Sequence, residues 1–257
     1  MIRSALLFCL FSLVYALPVY AGDKLMLAAA SDLRYALDEV ILLFRQQHPT
    51  TDIHVVYGSS GKLSTQIRHG APFDLFFSAD SRFPELLYQD GHAVTVPQPY
   101  AVGHLVLWSP RQNMSEVELH QLKNMTFRRL AIAQPAHAPY GQRAKEALQT
   151  LGLWAELEPK LVYGENIAQT AQLVQSGGAD IGIIALSLAK FPELAKQGYH
   201  LIPTDLHQPL TQAFVVTRHG ADNRAAHHFS AFMKNPAALT VMQRFGFELP
   251  ATLPAQD

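Results

Sequence analysis

Five places in this chain set small, hydroxyl-bearing or glycine-containing residues where an apolar run gives way to a helical pattern. They are Ala29-Ala30-Ser31-Asp32, Gly58-Ser59-Ser60-Gly61, Ser78-Ala79-Asp80-Ser81, Ala138-Pro139-Tyr140-Gly141 and Glu165-Asn166-Ile167. A helix start exposes N–H groups that have no intrahelical acceptor and carries a partial positive charge of about half a unit. Small side chains let an anion approach those groups, and serine adds a hydroxyl donor. Several such starts facing one cleft would hold an oxyanion by neutral donors alone. The plain alternative is that Ser31, Ser60 and Ser78 are helix caps, each contributing about 1 kcal/mol. Recurrence in five places favours the cage, although it names no ion.

Other chemistries fail on spacing. A phosphate-binding loop needs a glycine five residues before Gly61-Lys62 and a hydroxyl residue after; Val56 and Leu63 stand there. A nucleophile elbow centred on Ser60 needs glycine where Lys62 stands. The twelve histidines contain no His-Glu-x-x-His pattern, and the adjacent His227 and His228 point to different helix faces. His137, just before the Pro139-Tyr140-Gly141 turn, is the histidine expected to border a cleft. Asp38-Glu39 reads as a solvated helix pair, not as an acid and base.

The elements that must position these residues follow a strand–helix rhythm. Lys24 to Ala30, Asp52 to Tyr57 and Asp74 to Ser78 read as strands. Helices follow over Asp32 to Gln47, Lys62 to His69 and Phe83 to Gln89, the first stopped by His48-Pro49 and the others by Gly70 and Gly91. Gly58 to Gly61 reads as a tight turn and Val94 to Pro99 as irregular. Val102 to Trp108 reads as a strand crossing into a second lobe. There the series resumes with strands at Leu130 to Ala133, Lys160 to Tyr163 and Asp180 to Ala185, and helices over Tyr140 to Leu151 and Ile167 to Gln175. Thr211 to Thr217 crosses back, and Asn223 to Phe245 is helical with a break near Asn235-Pro236. The rhythm predicts an α/β fold: two Rossmann-like lobes with parallel-dominated sheets, joined by a two-strand hinge. Residues 22–101 and 206–257 form lobe I and residues 102–205 lobe II. A small ligand would sit in the cleft at the carboxyl ends of the strands.

Residues 1–21 stand apart. Arg3, the apolar run Ala5 to Leu17 and the small Ala21 predict a secretory signal cut after Ala21. Its loss removes Arg3 and Cys9, the single cysteine of the 257 residues, leaving 19 basic against 21 acidic residues. The mature chain thus has no thiolate for a nucleophile, a zinc site or an iron–sulfur cluster, and no disulfide. With 49% hydrophobic residues it can build a core unaided. Near-neutral charge without a basic run argues against nucleic acid and against a polybasic membrane surface as partners.

From about Lys24 to Phe247 the chain resembles the periplasmic molybdate-binding proteins of ABC transporters, a family with the type II periplasmic binding protein fold. The resemblance rests on Ala28-Ala29-Ala30-Ser31, Tyr57-Gly58-Ser59-Ser60-Gly61, Gly70-Ala71-Pro72-Phe73-Asp74-Leu75-Phe76 with Ser78-Ala79-Asp80, Pro139-Tyr140-Gly141, Glu165-Asn166-Ile167, Asp180-Ile181-Gly182-Ile183 and Arg244-Phe245-Gly246-Phe247, in that order. It implies a monomeric, non-enzymatic protein that closes on molybdate or tungstate, without cofactor, and passes it to a permease in the inner membrane. It also implies donors at Ser31, Ser60, Tyr140 and Ile167, the last through its backbone N–H, with Asp32, Ala79 and Ala185 lining the site. Many members carry a tyrosine donor where this chain has Ala185, and the expectation is that the Tyr140 phenol replaces it. Asp32 is expected to cap its helix and turn its carboxylate away from the dianion. The residues themselves leave three alternatives: a carrier of another anion or of iron, a sensor lobe without transport, or an exported enzyme acting on a phosphate or sulfate ester.

Overall fold

The computed structural model describes residues 24–250; the predicted signal, residues 1–21, lies outside them. The chain opens with β1 (Lys24–Ala30), a 3-10 turn over Ser31–Leu33 and α1 (Arg34–Gln47). β2 (Asp52–Gly58), α2 (Ser60–Arg68), β3 (Leu75–Ser78) and α3 (Arg82–Gln89) complete the first series. β4 (Gln98–Gly103) and β5 (Leu105–Trp108) then follow with only His104 between them. The second series runs β6 (Leu130–Ala133), α4 (Pro139–Thr150), α5 (Trp154–Leu157), β7 (Leu161–Gly164), α6 (Ile167–Gln175), β8 (Ile181–Ala185), α7 (Leu186–Ala189) and β9 (Tyr199–Leu201). β10 (Leu210–Val216), α8 (Arg224–Phe232) and α9 (Pro236–Arg244) close the chain.

These strands form two five-stranded sheets, ordered β2-β1-β3-β10-β4 and β7-β6-β8-β5-β9. In the first, β1 pairs in parallel with β2 and β3, while β10 runs antiparallel to β3 and β4. In the second, β6 pairs in parallel with β7 and β8, while β5 runs antiparallel to β8 and β9. Each sheet is therefore half parallel and half antiparallel, not parallel-dominated. The strand–helix series gives the parallel half, and the strands that enter from the other lobe run the opposite way. The expected single strand from Val102 to Trp108 is two strands, one in each sheet.

Helices cover both faces of the first sheet, and side-chain alternation shows it. Leu25, Leu27 and Ala29 of β1 join Phe44, Phe77 and Phe229 in one core, whereas Ala28 joins Leu63, Phe76 and Leu87 in another. α1 commits Ala36, Leu37, Val40, Ile41 and Phe44 to the first of these cores at helical spacing. The second lobe has its own core around Trp108, Ile132, Leu148 and Ile184. Two separately packed lobes are thus joined at two crossings, through His104 and through the segment before β10.

Candidate functional site

Between the lobes lies a small cavity, about 10 Å3, whose wall is formed by residues 30–32, 58–60, 79, 138–140 and 167. The starts of the 3-10 turn, α2, α4 and α6 all contribute, so four of the five small-residue helix starts meet there; Ala79 comes from the fifth. The N–H groups of Ser60, Tyr140 and Ile167 stand in first turns, where no intrahelical acceptor exists.

The serine hydroxyls are not caps. Ser60 is fully buried, and its Oγ accepts the Ala79 N–H at 3.0 Å, which leaves its own proton free to donate. Ser31 Oγ donates to Asn166 Oδ1 at 3.0 Å and accepts from Ala168 N at 3.2 Å, so it already bridges the lobes. Asn166 is the cap of α6, accepting from Gln169 N at 3.0 Å. Ser78 behaves otherwise: its Oγ donates to Asp80 O and accepts from Asp80 N, closing its own turn. It has no part in the cavity wall.

Asp32 departs from expectation. Its side chain makes no cap bond and is buried with 1% of the residue exposed. Oδ2 accepts from the Tyr140 hydroxyl at 3.0 Å and from Gln212 Nε2 at 2.7 Å. Tyr100 donates to Gln212 Oε1 at 2.6 Å, and Gln212 Nε2 also lies 3.1 Å from the Tyr140 oxygen. Oδ1 is buried with no hydrogen-bond partner. A carboxylate draws two strong donors away from any neutral acceptor nearby, so it is held in this cluster and does not swing round to cap. Burial pushes Asp32 up to about 6, against the lowering effect of the bonds from Gln212 and Tyr140 and of the Asp32 and Leu33 N–H groups. The same cluster answers the expectation for Tyr140: its phenol serves Asp32, and the donor it leaves for a ligand is its backbone N–H. Burial also holds the Tyr140 and Tyr100 phenols well above the usual range, so both stay protonated. Gly103, at the end of β4, makes room for this cluster, since a Cβ there would overlap the Tyr140 hydroxyl and the Gln212 amide.

Ala185 lies outside the cavity wall. It ends β8, is fully buried, and leads into α7, whose Ser187 Oγ donates to Asp32 O at 2.8 Å. That position ties the hinge region to the 3-10 turn and presents nothing to the cavity.

The rim is closed by contacts across the lobes. Gly61 N donates to His137 O at 3.0 Å, and Ser59 Oγ lies 2.9 Å from His137 Nδ1. Burial lowers the pKa of His137, with Lys62 adding to the effect, so its ring is neutral at neutral pH. Lys62 and Glu165 pair at 3.3 Å. Arg143, buried on α4, reaches Asp80 at 3.1 Å and Glu146 at 2.7 Å, and Asp80 also holds Arg82 at 2.7 Å. Tyr35 stacks on Phe191 with ring centroids 3.6 Å apart.

Among the described residues no group of three or more His, Cys, Asp or Glu side chains could hold a metal ion. Sequence reasoning missed Gln212, Tyr100 and the Asp80–Arg143 pair. No local signal marks them, because each partner lies at least 60 positions away in the chain.

Residues 25–248 match the bacterial extracellular solute-binding protein family. The chain is 36% identical to the molybdate-binding protein ModA of Rhodobacter capsulatus, over 90% of both chains. It is 38% identical to that of Azotobacter vinelandii, over 75% of this chain and 77% of the relative. The solved periplasmic molybdate-binding protein of Azotobacter vinelandii superposes with a TM-score of 0.82 at 30% identity, covering 88% of this chain and 99% of that one. Two half-parallel sheets, a double crossing and an interlobe cavity lined by helix starts accord with these matches, and the chain belongs to the bacterial extracellular solute-binding protein family.

Proposed function

We propose that this protein binds molybdate, and tungstate with it, in the cavity between the lobes, and delivers the anion from the periplasm to an ABC transporter permease in the inner membrane. The observation that carries the reading is the chemistry of the wall: serine hydroxyls and helix-start N–H groups, with no lysine or arginine among the lining residues. In this reading Ser60 donates its free hydroxyl proton, and Ser31 turns from Asn166 to donate as well. Tyr140 and Ile167 supply backbone N–H groups, and Ala79 limits the width. Each hydrogen bond to a charged group contributes about 1.5–3 kcal/mol, and together they offset the cost of drying a dianion. The cage also selects by size. Sulfate and phosphate have shorter bonds to oxygen, cannot reach every donor, and leave some unpaired. Lobe closure on the anion would be the signal that the permease reads. A monomer suffices, because every group of the wall comes from one chain.

One observation favours a second reading. The Ser59 hydroxyl against His137 Nδ1 is a nucleophile–base contact of the kind an ester hydrolase needs. Turnover of a chromogenic phosphate or sulfate ester would support it.

Thermal unfolding of the anion-free mature protein tests the main reading. Ligand at a thousandfold excess over Kd stabilises the folded state by about 4 kcal/mol. Molybdate and tungstate are expected to raise Tm by many degrees, and sulfate and phosphate by little. No rise with any of the four overturns the proposal.

A further inference from the structure

The proposed dianion cavity contains a carboxyl group, and that calls for an account. Asp32 lines the cavity and is almost wholly buried, beside the place where a ligand with two negative charges would sit. Its two oxygens are treated unequally. Oδ2 accepts from Tyr140 and Gln212, while buried Oδ1 makes no hydrogen bond and the carboxyl has only the Asp32 and Leu33 N–H groups besides these near it. An ionised carboxylate would keep a negative charge in the wall of a cavity that takes a dianion, with Oδ1 left as an acceptor without a hydrogen bond. A carboxylic acid with its proton on Oδ1 removes that charge from the neighbourhood of the dianion.

We propose that Asp32 binds a proton as the oxyanion enters, so that the complex forms with uptake of one proton. The inference rests on the oxyanion-binding reading above. One proton moves from solvent to Oδ1, and the charge that Asp32 loses compensates part of the charge the ligand brings. Ionised Asp32 repels a dianion, so the protonated form is the binding-competent one.

The surroundings favour this role. Tyr140 on α4 and Tyr100 on β4 remain protonated donors, Gln212 on β10 is neutral, and α7 reaches only the Asp32 backbone, through Ser187. Charged and ionisable side chains on neighbouring elements are engaged elsewhere. His104 on the hinge faces Glu248, Arg143 pairs with Asp80 and Glu146, Lys62 pairs with Glu165, and His137 meets Ser59. The empty protein already holds this carboxyl at about 6, close to neutrality, so little is needed to load it.

Above the titration range of empty Asp32, each pH unit is expected to weaken molybdate binding up to tenfold, because each costs a tenfold loss of the protonated form. The test is titration calorimetry with molybdate between pH 6.5 and 8, where molybdate stays a dianion, in buffers of different ionisation enthalpy. The expected result for the wild type is uptake of close to one proton per anion at pH 7.5, with Kd rising along with pH. The Asp32→Asn variant cannot take up that proton, and its Kd should be flat over the same range. Infrared difference spectra should show a protonated carboxylic acid C=O band on molybdate addition to wild type and none for the variant. Tight binding without proton uptake by the wild type overturns this inference and leaves the oxyanion reading standing. Proton uptake that persists in Asp32→Asn assigns it to another group and also overturns the inference. No binding of any oxyanion overturns both. The wild-type proton count does not depend on the variant folding.

Discussion

Replacing Asp32 with asparagine should remove a pH dependence of folding that the ligand-free structure builds in. The side chain is fully enclosed, and burial raises its pKa from 3.8 to about 6. The native state therefore binds more protons than the unfolded state between about pH 4 and 6. Stability from this residue is greatest below that window and declines as pH rises through it. A difference of about two pKa units corresponds to about 3 kcal/mol, with the loss complete by about pH 7.5. Asparagine keeps an acceptor for Tyr140 and Gln212 but cannot ionise. Its amide carries two protons where the acid carries one, so the two proteins differ by a constant offset; the informative quantity is how that difference changes with pH. Urea unfolding of the anion-free proteins at pH 4 and pH 7.5 measures it. The stability of the variant relative to wild type should increase by about 2–3 kcal/mol between the two pH values. A difference that stays constant would refute the claim that Asp32 is a buried acid of raised pKa.

Three further substitutions separate the parts of the site. Ser60→Ala removes a free hydroxyl donor and leaves the Ala79 N–H without its acceptor; molybdate affinity by calorimetry should fall roughly 10- to 100-fold. Gly61→Ala places a Cβ 2.8 Å from His137 O at the closed rim. Each lobe can still fold, but small-angle scattering should show no compaction on adding molybdate, and affinity should drop. Tyr140→Phe keeps the backbone N–H and removes only the phenol that serves Asp32. Its molybdate affinity at pH 6.5 should change by less than that of Ser60→Ala, and a larger loss would show that the phenol meets the anion.

Much of the fold is readable from periodicity. The apolar run of β1 and the 3.6-residue spacing of Leu37, Val40, Ile41 and Phe44 are enough to announce a helix-covered sheet. What periodicity does not carry is a change of sheet in mid-run. Val102 to Trp108 is apolar but for His104, because the end of β4 and all of β5 pack into the lobes, and one half-buried histidine is too small an interruption to mark the break. Similarly, Gly58 to Gly61 has turn composition, yet α2 begins within it at Ser60, since Gly61 is needed for the close approach of His137 and not for a turn. For the site, composition marks the helix starts, the family resemblance singles out Ser31, Ser60, Tyr140 and Ile167 within them, and the structure gathers all four around one cavity. The direction of the Tyr140 phenol is not legible, because it is set by Asp32 and Gln212, which lie 180 positions apart and meet only when the second crossing brings β10 back. Ser78 shows the converse: its composition matches the other starts, but its hydroxyl is used within its own turn.

Diffraction from crystals grown with molybdate, collected at the molybdenum absorption edge, tests the central claim most directly. The account predicts one molybdenum atom per chain in the interlobe cavity, with ligand oxygens within hydrogen-bond distance of Ser31 Oγ, Ser60 Oγ and the N–H groups of Tyr140 and Ile167. It also predicts that Ser31 has turned from Asn166. An anion bound elsewhere, such as at Arg143 or Lys62, or an empty cavity at saturating molybdate, would contradict it.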